Sequence, residues 1–319
     1  MSSVLITGGA GFIGSNLTDA LLAEGRECHV VDNLSNGKAI RVADEAQLHE
    51  LDIREAELLG TLVERVAPTT IFHLAAQADV RRALEDPVYD ADVNVVGTIN
   101  VLEAARRVGA RVVFTSTGGA GYGEYEGLPV PSPETSETKP LSHYGMSKMA
   151  GEGYCNLYAR LYGAEVSILR LGNVYGPRQD PHGEAGVVAI FCGKMLDGET
   201  PKVFGDGMQT RDYVYVGDVV GAFLAAEAGA PGETVNVGAG VEVTVLDLLA
   251  GLGYEDEPEF APARPGELQR SALDVSKAER VYGWKAGTSL AEGLGITYRS
   301  VIAARRDPDA RPPGAFSPM

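Results

Sequence analysis

The sequence predicts an α/β chain: a doubly wound, Rossmann-type parallel sheet followed by a smaller C-terminal α/β lobe. Three observations carry that prediction. Short apolar runs at residues 4–7, 27–31, 48–52, 70–74, 111–116 and 165–170 have the length and continuity of strands buried on both faces. Amphipathic segments at 13–24, 55–66, 88–108 and 143–162 alternate with them, as crossover helices between parallel strands do. A run of glycines sits where the first strand meets the first helix, the place of a dinucleotide-binding turn.

After residue 170 the rhythm loosens, and Gly and Pro punctuate 172–181, 198–207, 229–240 and 258–266. The expectation is a first domain over 1–170 and a loop-rich second lobe over 171–305. A strand-and-helix pattern at 213–227 is placed so that 213–237 would return to the first sheet. The tail over 306–319, with Pro312 and Pro313 in succession, is expected to be disordered.

With 319 residues the chain buries a sizeable core without disulfide staples. Its three cysteines, Cys28, Cys155 and Cys192, are odd in number, widely spaced and free of any CxxC pair, which points to a reducing, cytoplasmic setting. Residues 1–9 run straight into a strand pattern, with no basic segment followed by an apolar signal. No stretch approaches the roughly 20 apolar residues of a membrane span, so neither secretion nor a membrane partner is expected. A net charge of −17 without a stripe of Lys and Arg argues against nucleic acid. A small polyanionic ligand would need locally placed arginines and helix N-termini to overcome that charge.

Thr7-Gly8-Gly9-Ala10-Gly11-Phe12-Ile13-Gly14 follows a strand and opens a helix. Gly8 and Gly11 permit the tight turn and a close backbone approach to a pyrophosphate, and Gly14 lets the helix pack on the sheet. The helix beginning at Phe12 and Ile13 offers free N–H groups and a partial positive charge to that anion. Asp32 ends the second strand at the spacing of a carboxylate that accepts ribose hydroxyls. A 2′-phosphate would meet Asp32 and Asn33 with no adjacent arginine, which favours NAD over NADP, although Lys38 and Arg41 follow. Asp52, ending the third strand, is either a contact to the adenine amino group or a loop cap.

Tyr144 and Lys148 lie four residues apart and share one face of a helix. An ammonium beside a phenol favours phenolate, which brings a side chain of pKa near 10 into working range as a base. The spacing is common by itself and acquires meaning only beside a cofactor and a third group. Ser116 and Thr117 supply that group, as hydroxyls at the carboxyl edge of the fifth strand, where open α/β sheets bind ligands.

With these residues in place, the chain resembles the extended short-chain dehydrogenase/reductase family, and within it the UDP-hexose 4-epimerases, over nearly its whole length. The resemblance is carried by the glycine fingerprint, His73-Leu74-Ala75-Ala76, Ser116-Thr117, Tyr144 with Lys148, Asn173-Val174-Tyr175-Gly176-Pro177, and residues 211–218 from Arg211 to Asp218. It implies that Tyr144 takes the proton of the sugar 4-hydroxyl, that Thr117 relays or shares it, and that Lys148 also holds the nicotinamide ribose. NAD would accept hydride from C4 and return it to the opposite face of a transient 4-keto sugar. The resemblance also implies cofactor contacts from Ile53, Leu74, Ala75 and Ala76.

On the substrate side it implies that Asn173 bonds the diphosphate of a UDP-sugar and that Arg211 and Arg264 clamp the nucleotide, with Arg178 a weaker candidate. The segment 186–191, including Val188, would border the uracil. Ser271 stands where residue size governs tolerance of N-acetyl sugars, so UDP-GlcNAc and UDP-GalNAc are expected beside UDP-Glc and UDP-Gal. A uronic acid would need a cation at its carboxylate, for which Arg81, Arg82 and Arg178 are the candidates. Relatives that dehydrate or decarboxylate carry an acid where this chain has Gly118 and Gly119, and glycine shuttles no protons. His143 replaces the proline that commonly precedes the tyrosine.

Rival readings are a nucleotide-sugar reductase, a 4,6-dehydratase, a UDP-glucuronate 4-epimerase, or a non-catalytic NAD-binding protein, the last of which would be expected to lack Tyr144 or Lys148. The loop at 180–184 holds Asp180, His182 and Glu184 at a spacing that fits no zinc site, and no metal is expected. His73 and Trp284 read as packed core residues. The helices at 88–108 and 143–162 carry enough apolar surface for a homodimer across a two-fold axis.

Overall fold

The computed structural model describes residues 2–181, 186–264 and 267–316. Six strands follow the predicted order: β1 (Ser3–Thr7), β2 (Glu27–Asp32), β3 (Gln47–Glu50), β4 (Thr70–His73), β5 (Arg111–Thr117) and β6 (Val166–Leu171). Outside that run come β7 (Asn173–Tyr175), β8 (Lys202–Phe204), β9 (Thr210–Arg211) and β10 (Tyr213–Tyr215), after which β11 (Thr234–Val237) pairs with β6. The resulting seven-stranded parallel sheet has the order β11-β6-β5-β4-β1-β2-β3. The strand order reverses between β1 and β4, which opens a crevice at the carboxyl edge.

Successive strand residues point to opposite faces, and the sheet therefore has two cores. Val4, Ile6, Val30, Phe72 and Val113 pack under α1 (Phe12–Ala23) and a later helix. Leu5, Val31, Ile71, Val112 and Phe114 pack under α2 (Ala56–Val66) and the helices that follow it. Those are α3 (Val80–Glu85), α4 (Pro87–Ala91), α5 (Gly97–Val108) and α6 (His143–Tyr162).

The predicted helix over 88–108 is interrupted. Asp92–Val96 is a turn of π-helix between α4 and α5. One extra residue per turn rotates Asn94 inward, where its amide donates to Asp90 Oδ1 (3.1 Å), the Gln77 carbonyl (2.9 Å) and Ser147 Oγ (3.1 Å).

Beyond the sheet, α7 (Val187–Leu196), α8 (Val216–Ala228), α9 (Val245–Gly251), α10 (Ser276–Tyr282) and α11 (Leu290–Arg306) surround three small strand pairs. These are β7 with β10, β9 with β12 (Val243–Thr244), and β8 with β13 (Glu259–Ala261). Their core is built on Tyr175, Val188, Tyr213, Tyr215, Leu248 and Leu294. The α8 helix packs on the sheet beside α1 through Val219, Val220 and Phe223.

The tail differs from its expectation. Residues 307–316 lie along α1, held by Arg311, Pro312 and Ala315. Prolines restrict the unfolded segment, so ordering it costs less entropy than its composition implies. Among the described residues, no helix is long and apolar enough to cross a membrane.

Candidate active site

Glycines set the geometry at the sheet's carboxyl edge. Gly8 has φ +72°, and a Cβ there would lie 2.6 Å from Ala75 N, so the loops after β1 and β4 touch backbone to backbone. A Cβ at Gly14 would lie 2.3 Å from Gly8 O. Gly11 is the N-cap of α1 and no side chain caps that helix, which leaves its first N–H groups free for an anion. Phe12 and Ile13 begin the helix, and Leu74, Ala75 and Ala76 follow β4 opposite it, with Ala75 N–H donating to Thr7 Oγ1 (3.2 Å).

Asp32 is buried at the end of β2. Its carboxylate accepts from Ala10 N–H (3.0 Å) and Leu34 N–H (2.9 Å), while desolvation holds its pKa above the usual range. Asn33 donates to Asp52 Oδ2 (2.7 Å), and Arg54 grips Asp52 through Nε and a terminal nitrogen, holding that carboxyl down to about 2. Asp52 is thus a loop anchor in this structure. Lys38 pairs with Asp180 at 3.2 Å. Ile53 is a core residue under Gly97, where a Cβ would lie 2.5 Å from its Cδ1.

Close packing also places α6. A Cβ on Gly145 would lie 2.5 Å from Ala120 O, and one on Gly151 would lie 2.8 Å from Phe114 Cζ. The first turns of α6 therefore press on β5 and on the loop that leaves it. Ser142 caps the helix by accepting from Gly145 N–H (3.0 Å), and His143 is exposed beside it. Tyr144 and Lys148, one turn apart in α6, share one face of the helix. Thr117 ends β5, its Oγ1 accepting from Ala120 N–H (3.1 Å).

Lys148 is 2% exposed, its Nζ lies 4.5 Å from the centre of the Phe114 ring, and it makes no hydrogen bond to a described residue. Burial holds its ammonium down to about 8. Burial, reinforced by the Asp90 carboxylate, pushes the Tyr144 phenol up to about 12. His73 is a buried link between Thr7 (2.8 Å) and Thr98 (3.0 Å), its pKa pushed down to about 3 by burial and then by Lys148.

The Ser116 hydroxyl donates to Glu152 Oε1 at 2.5 Å, on the same face of β5 as Phe114, so its hydrogen is taken up within the protein. Glu152 is also gripped by Arg170 (2.9 Å and 2.7 Å), which donates to the Tyr122 hydroxyl (3.1 Å). This buried cluster had a signal that was not used: Glu152 continues the stripe of Tyr144 and Lys148 by another four residues.

The substrate-side candidates divide. Asn173 Oδ1 is 3.3 Å from where a Gly119 Cβ would stand, and Gly118 leaves no such room, with Leu273 Cδ2 at 2.6 Å. Asp212 fixes Leu273 there by accepting its N–H (3.1 Å) together with those of Ala239 and Gly240. Ser271 is two residues from Leu273 and half-buried. Arg211 pairs with Glu267 (3.3 Å), and the Arg264 guanidinium stacks 3.9 Å from the Phe204 ring centre.

The Val188 side chain is a core residue of α7, packed with Cys192 one turn on. One expectation is corrected. Arg178, at φ +71°, is buried against α1 and spends its guanidinium on Asp19 (2.8 Å), the Ser15 carbonyl (3.0 Å) and the Pro312 carbonyl (3.0 Å). Arg82 stacks on Tyr89 (4.2 Å). Of the loop at 180–184, residues 182–184 lie outside the described residues, and among the described residues no cluster suits a metal ion.

The free helix start, the buried Asp32 and a buried ammonium with no hydrogen bond to a described residue fit a dinucleotide laid across the switch point. The sequence agrees with that geometry, since residues 4–238 match the model of the "NAD dependent epimerase/dehydratase family". The chain belongs to this family. It is 49% identical over 306 residues to a UDP-glucose 4-epimerase of Mycolicibacterium smegmatis, covering 92% of this chain and 96% of that one. It also resembles the UDP-glucose 4-epimerase of Thermotoga maritima crystallised with UDP-glucose (TM-score 0.92, 43% identity, 95% and 99% of the two chains). The Thermus thermophilus UDP-glucose 4-epimerase in complex with NAD gives a TM-score of 0.87 at 43% identity, over 93% and 98% of the chains.

The Lys148 environment sets a pH dependence. A lysine whose pKa falls on folding carries a penalty that is full below the folded value, here about 8, and gone above the ordinary value of 10.5. Lys148→Met should therefore be more stable than the parent protein below pH 8, with the gap closing as pH rises toward 10.5. Urea midpoints of the cofactor-free proteins measure it, and a gap constant with pH contradicts it.

Proposed function

We propose that this enzyme inverts C4 of a UDP-hexose and keeps its NAD throughout the cycle. One observation carries the reading: a buried lysine ammonium with no hydrogen bond to a described residue stands one helical turn from a tyrosine, in a sheet whose carboxyl edge presents the free start of α1. Bound there, NAD supplies the acceptor and later the donor of the C4 hydride. Tyr144 takes the 4-hydroxyl proton and returns it, and Thr117 holds that hydroxyl in line. Lys148 bonds the nicotinamide ribose and makes phenolate accessible, since in the cofactor-free protein the phenol sits near 12 and stays protonated at neutral pH.

Gly8, Gly11 and Gly14 admit the pyrophosphate, and Asp32 accepts from the adenosine ribose. Asn173, Arg211 and Arg264 hold the UDP diphosphate. Gly118 and Gly119 offer no acid, which favours epimerisation over elimination. The three cysteines are buried and unpaired, in keeping with a reducing cytoplasm.

With UDP-galactose, NMR should show conversion to UDP-glucose at unchanged mass and without accumulation of NADH. Tyr144→Phe should lower kcat by roughly 10²–10⁴. Loss of one water, or NADH formed in proportion to product, overturns the reading.

Ser271 is small and lies near the loop after β5, so the same site takes UDP-GlcNAc and UDP-GalNAc. Ser271→Tyr should depress turnover of the acetamido sugars relative to the plain hexoses. An unchanged rate ratio refutes that role.

A homodimer is the proposed assembly. Met146, Tyr154 and Leu161 lie on one exposed face of α6, and Val96 is exposed on the π turn that packs against that helix. Light scattering should give twice the 33.6 kDa chain mass, and Tyr154→Glu together with Leu161→Glu should reduce it to one.

A further inference from the structure

We propose that residues 307–316 are a strap that holds together the two walls of the adenosine half of the cleft and so sets how long NAD is retained. This rests on the assignment of NAD to that cleft made above. One wall is the glycine turn together with α1, residues 8–23. The other is the loop over 33–43 that leaves Asp32. The walls meet directly where Lys38 N–H donates to Ala10 O (3.0 Å) and Ala10 N–H donates to Asp32 Oδ2 (3.0 Å).

The strap crosses both walls from outside. Arg311 Nε donates to the carbonyl of Arg41 on the loop (3.1 Å), while its terminal nitrogen pairs with Asp19 on α1. The next carbonyl, of Pro312, accepts from Arg178 Nε (3.0 Å), and the same guanidinium binds Ser15 O and Asp19. Ala315 N–H donates to Asn16 Oδ1 (2.7 Å), and its carbonyl accepts from the Tyr215 hydroxyl (3.4 Å). Asn16 in turn donates to the carbonyls of Phe12 (2.9 Å) and Pro177 (3.1 Å), which carries the contact to the uncapped turn of α1.

The residue that Arg311 pins also matters. Arg41 is 6% exposed, and its guanidinium makes no hydrogen bond or ion pair with a described residue. The carboxylates that act on it are Asp180 and Asp32. Holding the Arg41 backbone therefore fixes a buried cation beside the acid assigned to the ribose.

A dinucleotide that spans both walls leaves when they separate. Segments outside helices and strands, with few buried apolar contacts, are among those that open at low cost. A strap fastened by charge-assisted bonds on each side raises the cost of that opening without touching the ligand. Arg311 is on this account a positioning residue.

The test loads the full chain with NAD, removes free NAD by gel filtration and follows release of the retained cofactor. It compares the parent with Arg311→Ala and with a chain ending at Arg306. UDP affinity is measured by calorimetry and the urea midpoint on the cofactor-free proteins. Release should be roughly tenfold faster in Arg311→Ala and faster still in the shortened chain, as expected for loss of a charge-assisted contact. UDP affinity should stay within about twofold, because Arg311 shares no partner with Arg211 or Arg264 among the described residues: it bonds Arg41 and Asp19, while they meet Glu267 and Phe204. Arg311→Lys, which keeps the charge but not the fork, should fall between.

Unchanged release in Arg311→Ala overturns the strap. So does a parallel loss of NAD retention, UDP affinity and urea stability, which would mark general loosening. Should the shortened chain not fold, Arg311→Ala decides alone. A parent chain that binds no NAD defeats the assignment of the cleft itself, and the strap with it.

Discussion

The pair formed by Glu152 and Arg170 ties together the elements on which the site stands. The two side chains are 6% and 10% exposed, and their closest atoms are 2.7 Å apart. Two charges in such a place are costly to desolvate, and leaving either one alone costs about 3–5 kcal/mol. They are stable here because their remaining valences are filled by Ser116 of β5 and by the Tyr122 hydroxyl, which itself donates to Asn236 Oδ1 (2.8 Å). Asn236 sits on β11, and its amide donates to the carbonyls of Ser132 and Asp274. One buried ion pair thus connects α6, β5, β6, β11 and the segment beside Ser271. The rotation of α6, and with it the aim of Tyr144 and Lys148, is fixed from behind.

Lys148 is under the opposite regime. It too is buried, but it has an aromatic face and no acceptor, so its ammonium is held at a pKa near 8. The same burial that disfavours the ammonium disfavours phenolate at Tyr144. Each group would relieve the other once a ligand brings hydroxyls and positive charge to the edge. The site is built for a bound dinucleotide in this sense: its electrostatics are unfavourable in the bare protein and improve with occupancy.

Much of the fold was legible in the sequence because buried parallel strands are continuous apolar runs, and the sheet followed them to within a residue or two at most ends. The break in the 88–108 helix was not legible. Its apolar periodicity survives a single π turn, while the cause is an inward asparagine that finds partners on two other elements. The bond from Ser116 to Glu152 was not legible either, because an edge position in sequence does not name a hydroxyl's partner. Arg178 and the tail were not legible for one shared reason: the arginine is taken up by α1 and by a segment more than a hundred residues away, and it helps to order that segment.

What the sequence by itself determined was the set of local chemistries. The glycine turn, the strand-ending Asp32 and the four-residue spacing of Tyr144 and Lys148 are properties of short stretches, fixed by backbone freedom and helical period. The tertiary structure alone decided which charges are spent on the scaffold and which are left for a ligand. Glu152 with Arg170, Asp52 with Arg54, and Arg178 with Asp19 are satisfied internally, whereas Lys148 and the start of α1 are not. That division depends on long-range packing, since a side chain's partner is set by where the chain returns in space.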